Sequence, residues 1–582
     1  MFSFVPSEQV GSEKVPFWPK SAILLLCILS LAAFLRLFNL RQSPPGLNQD
    51  AAANAWNAYC LLKTGKDQVG VSWPIFYSRG LGCNQTTLYY YAILPFQAIG
   101  GLNVITTRLP NAIGGVLTVL LMYFVATALF NRHVGLVAAL LLTVNPWHLQ
   151  QSRWGHEAGI FPFVIMLPFA LALFANLPLG IRKDATPRPA IAALAGIAAG
   201  IACYGYHSIR LYIPVFMLAA VVATFPAWVK SLKNRRALLS IALFLIGFAA
   251  FFGPLAFKHI TDPEGISKRA HGEWTWTWDK GDPPATIIKK VLRRYPPHFG
   301  LDFLFIRGDE RTSQAPPDAG QFHWYMLILM PLGLIAILPK LKYSPAARIL
   351  FAFVITYPAG DLLIDASPTA HALRGMPGTC SLVLLAAVGA VSAAQWLWRK
   401  NIRLAICAGV IFVAGFLVIN VRYLHCFYGE FNRRTDIYDA FQVDLIQACD
   451  WLKPRLNELD AVFFTSSGFN MPYIITLVAL AYEPSDWFSD KHTFYADSHP
   501  EASTQWDLCT RYGKFYFMYD ASWTQIAEDI YEKTPGRILF VVRPGEFGNM
   551  EPIHKIYQPD GTARLYIYLV TKEKNQHLII KN

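Results

Sequence analysis

Apolar residues run along this chain in blocks of about twenty, the length at which a helix spans the hydrocarbon of a bilayer. About eleven such blocks lie near residues 20–40, 110–130, 134–150, 157–177, 190–206, 209–228, 237–257, 323–340, 346–363, 375–397 and 402–421. A further aromatic run, LYYYAILPFQAIGG, is too polar at its start for a span and is expected to be re-entrant or interfacial. After residue 421 the pattern changes. The short β-rich runs AVFFTSS, KFYFMYD, RILFVVR and ARLYIYLV alternate with helix-like runs such as AFQVDLIQACDWLKPRL. The expected fold is a polytopic α-helical membrane module over residues 1–421 and an α/β domain over residues 422–582.

Composition agrees with the patterning. The 582 residues are 54% hydrophobic and 15% charged, with a mean hydropathy of +0.32, whereas a soluble chain carries about a quarter charged residues. The net charge of +13 suits anionic lipid headgroups and gives no sign of a nucleic-acid partner. Nine cysteines show no CxxC and no metal-like spacing; Cys60 and Cys83 share one loop. The leading stretch MFSFVPSEQVGSEKVPFWPK has no basic segment feeding directly into an apolar core, and no small-residue cleavage site follows the first span. That span is therefore expected to stay in the bilayer as a signal anchor.

The connecting segments alternate in character. NRH (131–133), IRKDATPR (181–188), KSLKNRR (230–236), PKLKYSPAAR (339–348) and RKNIR (399–403) are short and basic, which places them in the cytoplasm together with Lys14 and Lys20. The other set, dominated by loops 41–109 and 258–322, then faces outward. With an odd number of spans, so does the chain after Val421.

This topology gathers polar groups on one side of the membrane. NQD (48–50), QSRWGHE (151–157), GYHSIR (205–210), FIRGDER (305–311) and DLLIDASPTAHALR (361–374) all fall at outward helix mouths. They bring Asp50, Arg153, His156, Glu157, His207, Arg210, Asp309, Arg311, Asp361, Asp365, His371 and Arg374 to one face. Ionisable groups at membrane depth are costly, so one-sided clustering points to a site. The arginines run against the inside bias, and their planar fork suits phosphate. A transporter or lipid flippase would instead place such groups at mid-span with internal repeats, and no repeat stands out.

Each group also has a plainer role open to it. Asp50 can cap the helix formed by AAANAWNAYCLL. Arg153 and Glu157 can pair across one helical turn. His207 and His371 can be satisfied interfacial histidines, and EWTWTW at 273–278 suits an interfacial aromatic belt. Asn84-Gln85-Thr86 matches a glycosylation sequon.

Order and spacing add a family. PPGLNQD, AYCLLKTGKD, RLPNAIGGVLTVLLMYFVATALF, LLLTVNPWHLQQSRWGHEA and YGYHSIRLYIPV follow one another as in bacterial membrane glycosyltransferases of GT-C fold. The chain resembles most the phospholipid-carrier-dependent family 39 group, related to protein O-mannosyltransferases and lipid A aminoarabinose transferase. DFLFIRGDER and HALRGMPGTCSLVLLAAVG are similar too, so the likeness covers roughly residues 20–395. The resemblance implies transfer of a sugar from a polyprenyl-phosphate donor to a lipid-linked glycan, lipid or protein acceptor at the outer face of the cell membrane, with inversion.

The family likeness also implies roles. Asp50 would be the general base, and Glu157 and Arg153 fall at the positions of the family's second-loop acid and the arginine before it. With the chemistry of such a transfer, Glu157 is expected to be the base's partner or a metal ligand, and Arg153, Arg210 and Arg374 to contact the departing phosphate. His156, His207, His371, Asp309 and Arg311 are further site candidates. A divalent cation, Mg or Mn, on Asp50 and Glu157 is an optional cofactor. The sequence departs from the pattern in two places. Ala51 follows Asp50 where the family has Glu, and RGLGCNQTTLYYY replaces a segment rich in Asp, Lys and Pro. Both changes weaken a metal site and keep a catalytically degenerate scaffold as an alternative.

The topology has a direct check. In intact cells an impermeant thiol reagent should label a cysteine placed at Ser503 and spare one placed at Ser231. Equal protection of both would overturn the assignment of sides.

Overall fold

Each predicted apolar run is helical in the structure, a computed structural model that describes residues 19–81, 83–182, 185–262, 279, 281–317, 319–364, 370–494, 497, 508–519, 522–533, 536–547 and 550–571. Lys14, the run at 273–278 and Asp365 lie outside the described residues. The chain enters through α1 (Pro19–Leu37), passes α2 (Gln49–Thr64) and α3 (Leu88–Gly100), and continues through α4 (Val104–Leu129) and α5 (Arg132–Thr143). The short α6 (Pro146–Gln151) precedes α7 (Phe161–Phe174), α8 (Pro189–Ala202), α9 (Ile209–Ala223), α10 (Phe225–Ser231) and α11 (Arg235–Thr261). Beyond these come α12 (Pro284–Arg293), α13 (Met326–Ile337), α14 (Pro345–Thr356), α15 (Pro377–Lys400) and α16 (Ile402–Tyr428).

Among the described residues, six helices are long and apolar enough to cross a bilayer, or seven if α9 and α10, bent by 78°, form one span. Four shorter apolar helices occupy the other predicted runs. This is a multi-pass membrane protein. Close helix packing rests on small residues: a Cβ on Gly196 of α8 would meet Phe244 O of α11 at 2.0 Å, and one on Gly389 of α15 would meet Leu329 O of α13 at 2.1 Å. The aromatic run thought interfacial is α3, packed against α2, where Gln97 Nε2 donates to Ala55 O at 2.9 Å.

A two-stranded hairpin, β1 (Ser78–Gly80) and β2 (Cys83–Gln85), folds back in the first loop. The C-terminal domain is built on β3 (Ala461–Thr465), β4 (Thr493–Phe494), β5 (Cys509–Tyr512), β6 (Phe515–Met518), β7 (Arg537–Val542), β8 (His554–Tyr557) and β9 (Ala563–Thr571). They form one sheet in the order β4-β5-β6-β3-β7-β9-β8, parallel only across β6-β3-β7. The central β3 is buried along its whole length because both faces are covered. Phe463 and Phe540 pack one face toward Ala527, while Val462 and Phe464 pack the other toward Ile474 and Leu477.

Two packing facts differ from the composition boundary at residue 422. Helix α16 runs through that point, and Phe431, Ile437, Phe441 and Val443 still belong to the membrane module's core. In the opposite direction, α2 packs Ala51, Ala55, Trp56 and Tyr59 into the core of the C-terminal domain with Leu445, Ile474 and Trp487. Tyr59 donates its hydroxyl to Glu483 at 3.2 Å, and Trp487 Nε1 donates to Gln68 O at 2.8 Å. Loop 41–109 is thus a shared element. Composition reports where the hydrophobic pattern changes; packing depends on which apolar faces meet.

Two fully buried arginines, Arg108 and Arg153, hold the turn between α1 and α2, and a third, Arg36, ties α1 to the junction of α5 and α6. Arg108 donates Nη1 to Leu40 O at 2.9 Å and to Pro44 O at 2.8 Å, and Nη2 to Gly46 O at 2.6 Å. Arg153 donates Nε to Ser43 O at 2.9 Å and its Nη groups to Leu35 O and Phe38 O, each at 2.8 Å. Arg36 reaches Thr143 O at 3.2 Å and His148 Nδ1 at 2.7 Å. A helix end leaves carbonyls without partners, and in a buried setting each needs a donor. Replacing Arg108 with Met should therefore cost about 3 kcal/mol or more, since several carbonyls lose charged donors at once. Melting of the purified chain measures this, with the exposed Arg41→Ala as a control that should change little.

Candidate functional site

The turn pinned by these arginines delivers Asp50 to the first turn of α2. The cap of that helix is Asn48, whose Oδ1 accepts from Ala51 N at 2.9 Å. The capping role open to Asp50 from the sequence is therefore filled by its neighbour. Asp50 keeps 15% of its side chain exposed, and Oδ2 stands 3.8 Å from His156 Nε2. That spacing is beyond a direct hydrogen bond and leaves room for a bridging hydroxyl or water.

His156 and Glu157 reach this point because α6 ends at Gln151 and the chain re-enters helix only at the 3-10 turn Glu157–Ile160. Gly155, at φ +88°, turns the backbone where a Cβ would crowd Arg108 and Thr107 at 3.3 Å. His156 Nδ1 accepts from Ala158 N at 2.9 Å. The proton of the neutral ring therefore sits on Nε2, facing Asp50. Glu157 is fully buried, accepts from Asn54 Nδ2 at 3.0 Å, and lies 3.6 Å from His156 Nδ1. Asn54 follows Asp50 by one helical turn, so both project from one face of α2.

A second group comes from the loops before α13 and α15. Asp361 is fully buried and accepts from His298 Nε2 at 3.1 Å, His371 N at 3.0 Å and Arg374 Nη1 at 3.2 Å. Burial alone would raise its pKa. The His298 hydrogen bond and the charges of Arg374, His298 and His371 outweigh that and hold it well below the usual carboxylate range. Asp309 accepts from Ala372 N at 2.6 Å and Arg311 N at 2.9 Å. Burial pushes its pKa up to about 6 against those amides. His371, whose Nδ1 is 3.8 Å from Asp309 Oδ2, is pushed well down by burial and by Arg374. His371 also feels His156 electrostatically, so the two groups share one region.

The sequence candidates separate accordingly. Asp50, His156 and Glu157 come together, as do Asp309, His371 and Arg374, with exposed Arg311 beside the latter group. Arg153 does not join them as a phosphate ligand: three of its N–H groups serve main-chain carbonyls, and it stacks over Tyr428 at 5.1 Å. Nor does it pair with Glu157 along a helix, because residues 152–156 are not helical. Arg210 occupies a neighbouring network, with Nη1 3.5 Å from His259 Nε2 and Nη2 donating to Phe76 O at 3.4 Å. His207 lies 3.0 Å through Nε2 from Asn84 O and anchors the β1–β2 hairpin. Asn84 itself is buried, which removes the sequon as a modification site, and Cys60 is a buried free thiol.

Sequence reasoning missed Arg36, Arg108, Asn48, Asn54 and His298. Only Asn54 carried a local signal, its helical spacing from Asp50. A cation is poorly served by Asp50 and Glu157 as they stand. Glu157 faces an amide donor, the intervening His156 Nε2 carries a proton, and no cluster of three ligating side chains occurs among the described residues.

This architecture has counterparts. Residues 26–260 match the family model described as dolichyl-phosphate-mannose-protein mannosyltransferase, a span containing Asp50, Arg153, His156, Glu157, His207 and Arg210. ArnT from Cupriavidus metallidurans bound to undecaprenyl phosphate superposes with a TM-score of 0.53 at 13% identity, covering 94% of this chain and 97% of that one. Its apo form gives 0.51 at 12% identity over the same shares. The chain has the GT-C fold. Dolichyl-phosphooligosaccharide-protein glycotransferase 2 of Pyrococcus furiosus is 26% identical over 239 residues, 41% of this chain. The match spans only 28% of that relative's length.

The two buried carboxylates give opposite pH signatures. Asp309 has a raised folded pKa, so the folded state holds a proton that the unfolded chain has lost. Stability should fall as pH rises from 3.8 to about 6. Asp361 has a depressed one, so its contribution is present above its ordinary value and is lost as pH falls toward the folded pKa. Melting temperature against pH should lose the slope between 3.8 and about 6 in Asp309→Asn and keep the acid limb.

Proposed function

We propose that this protein transfers a glycosyl group from a polyprenyl-phosphate donor to an acceptor hydroxyl on the extracytoplasmic side of the cell membrane, with inversion and with Asp50 as general base. Asp50 takes the acceptor's proton as the acceptor oxygen bonds to the anomeric carbon. The bond from that carbon to the phosphate oxygen breaks, and its electron pair leaves with the lipid phosphate. A phosphate departs without a strong general acid, so cationic stabilisation is what the site must supply. Arg374 and Arg311, with Arg210 nearby, are the groups we assign to it. The full topology we assign is eleven crossings, with the α/β domain on the same side as Asp50.

The observation that carries this reading is the placement of Asp50, 3.8 Å from His156 on a helix whose N-cap is Asn48. Asp50 is a part-exposed carboxylate in a polar group whose other members, His156 and Glu157, are buried and oriented by Ala158 N and Asn54. Further support comes from an apolar cavity along α9 that begins at Tyr212, just past Arg210, and continues past Phe216 to Trp228. Its lining suits a prenyl chain. The fold shared with ArnT, solved with undecaprenyl phosphate, agrees with such a donor. The similarity to the Pyrococcus enzyme favours a second reading, in which the lipid carries an oligosaccharide and the acceptor is a protein. Turnover of monosaccharide-bearing against oligosaccharide-bearing polyprenyl donors separates them.

Asp50→Asn preserves size and leaves the Asn48 cap intact, so its melting curve should match the parent. Transfer should slow by roughly a hundred- to ten-thousand-fold, the usual cost of losing a general base. A parental rate in that variant would remove Asp50 from the chemistry.

A further inference from the structure

Among the described residues, helix α12 belongs to none of the buried cores. It has ten residues and none is buried; Ile288 and Leu292 are 59% and 61% exposed. An isolated helix of that length is marginal in water, and its stability in a protein normally comes from burying an apolar face. At 100° per residue, Ile287, Ile288, Val291 and Leu292 fall on one face, and Lys289, Lys290 and Arg293 on the other. Lys290 is held by Asp279 and Asp282 at 2.6 and 2.7 Å, while Lys289 and Arg293 point outward.

Further exposed apolar residues follow along the chain. Exposed Leu301, Ile306, Trp324 and Ile328 lead onto α13, and Tyr295 donates to Ile355 O of α14 at 2.7 Å. The residues just after the helix reach the candidate site. His298 Nε2 lies 3.1 Å and Arg294 Nη2 4.0 Å from Asp361 Oδ2, the carboxylate that also holds Arg374 and His371. The C-terminal end of α12 therefore adjoins the Asp361 group of the candidate site.

We propose that α12 is an interfacial helix that binds the anionic surface of the bilayer on the site side. Ile288 and Leu292 enter the acyl boundary, and Lys289 and Arg293 meet lipid phosphates. A basic amphipathic helix gains both from apolar burial and from headgroup charge. Because its C-terminal continuation is bonded to Asp361, lipid contact at α12 bears directly on the carboxylate that positions Arg374 and His371. The proposal stands independently of the reaction catalysed.

The test uses the full chain in nanodiscs, with exposed Cys27 and Cys407 replaced by Ser and an NBD probe on a cysteine placed at 288, 289 or 292 in turn. At 288 and 292 the probe should emit to the blue and be quenched by spin-labelled lipid, whereas at 289 it should be quenched by aqueous iodide. Shielding at 288 should deepen when phosphatidylglycerol is added to phosphatidylcholine discs, and Lys289→Glu with Arg293→Glu should abolish that gain. Iodide quenching alike at all three positions would overturn the interfacial placement. So would a blue shift at 288 and 292 without lipid quenching, which would mean burial against protein. Equal shielding with and without phosphatidylglycerol would overturn the anionic-surface assignment.

Discussion

The structure depends on buried guanidinium groups that satisfy buried carbonyls. Where α1 ends, the chain has to turn within the protein interior, and each helix-end carbonyl deprived of water needs a donor. Arg108 and Arg153 supply those donors from α4 and from the segment after α6, and Tyr428 adds its hydroxyl to Leu35 O. A guanidinium can serve several carbonyls in one plane, which an ammonium cannot do with the same geometry. One turn is thereby tied to three distant parts of the chain. Asp50 inherits its position from that turn.

Helix α2 is the element on which the two halves of the protein agree. Its start is fixed by the arginine-bound turn, and Leu47 N donates to Phe441 O at 3.0 Å. Its length is buried in the sheet domain's core by Ala51, Ala55 and Trp56, while Asn54 faces Glu157 of the membrane module. Alanines along the packed face let domain and helix approach closely. The C-terminal domain therefore braces the candidate site from behind. A change in its packing against α2 would be felt at Asp50, where small displacements matter most for proton transfer.

Across the site, Asp361 plays the corresponding part. A buried carboxylate is costly unless donors surround it, and here His298, His371 N and Arg374 do so. The loop before α13, the end of α14 and the start of α15 are joined through this one group. Asp309 adds a second clasp by accepting from Arg311 N and Ala372 N. The site is consequently framed by irregular chain on which polar side chains replace regular secondary structure as the source of order.

Much of this was legible in the sequence. Hydrophobic blocks and turn residues act locally, so the apolar runs emerge as helices, and AVFFTSS, KFYFMYD, RILFVVR and ARLYIYLV emerge as β3, β6, β7 and β9. The PPGLNQD motif and its distance from QSRWGHE pointed to Asp50, His156 and Glu157, which the fold does bring together. What the residues alone left open was the partner of each polar group. That Asn48 rather than Asp50 caps α2 depends on where the extended backbone gives way to helix. Whether Arg153 grips a phosphate or a helix end depends on where Leu35, Phe38 and Ser43 point their carbonyls. Nor does local pattern say that α2 belongs to the core of a domain nearly four hundred residues away. Sequence determined the elements, because period and propensity are local. Tertiary structure decided the partners, because a buried hydrogen bond is chosen by whatever distant group the fold brings within reach.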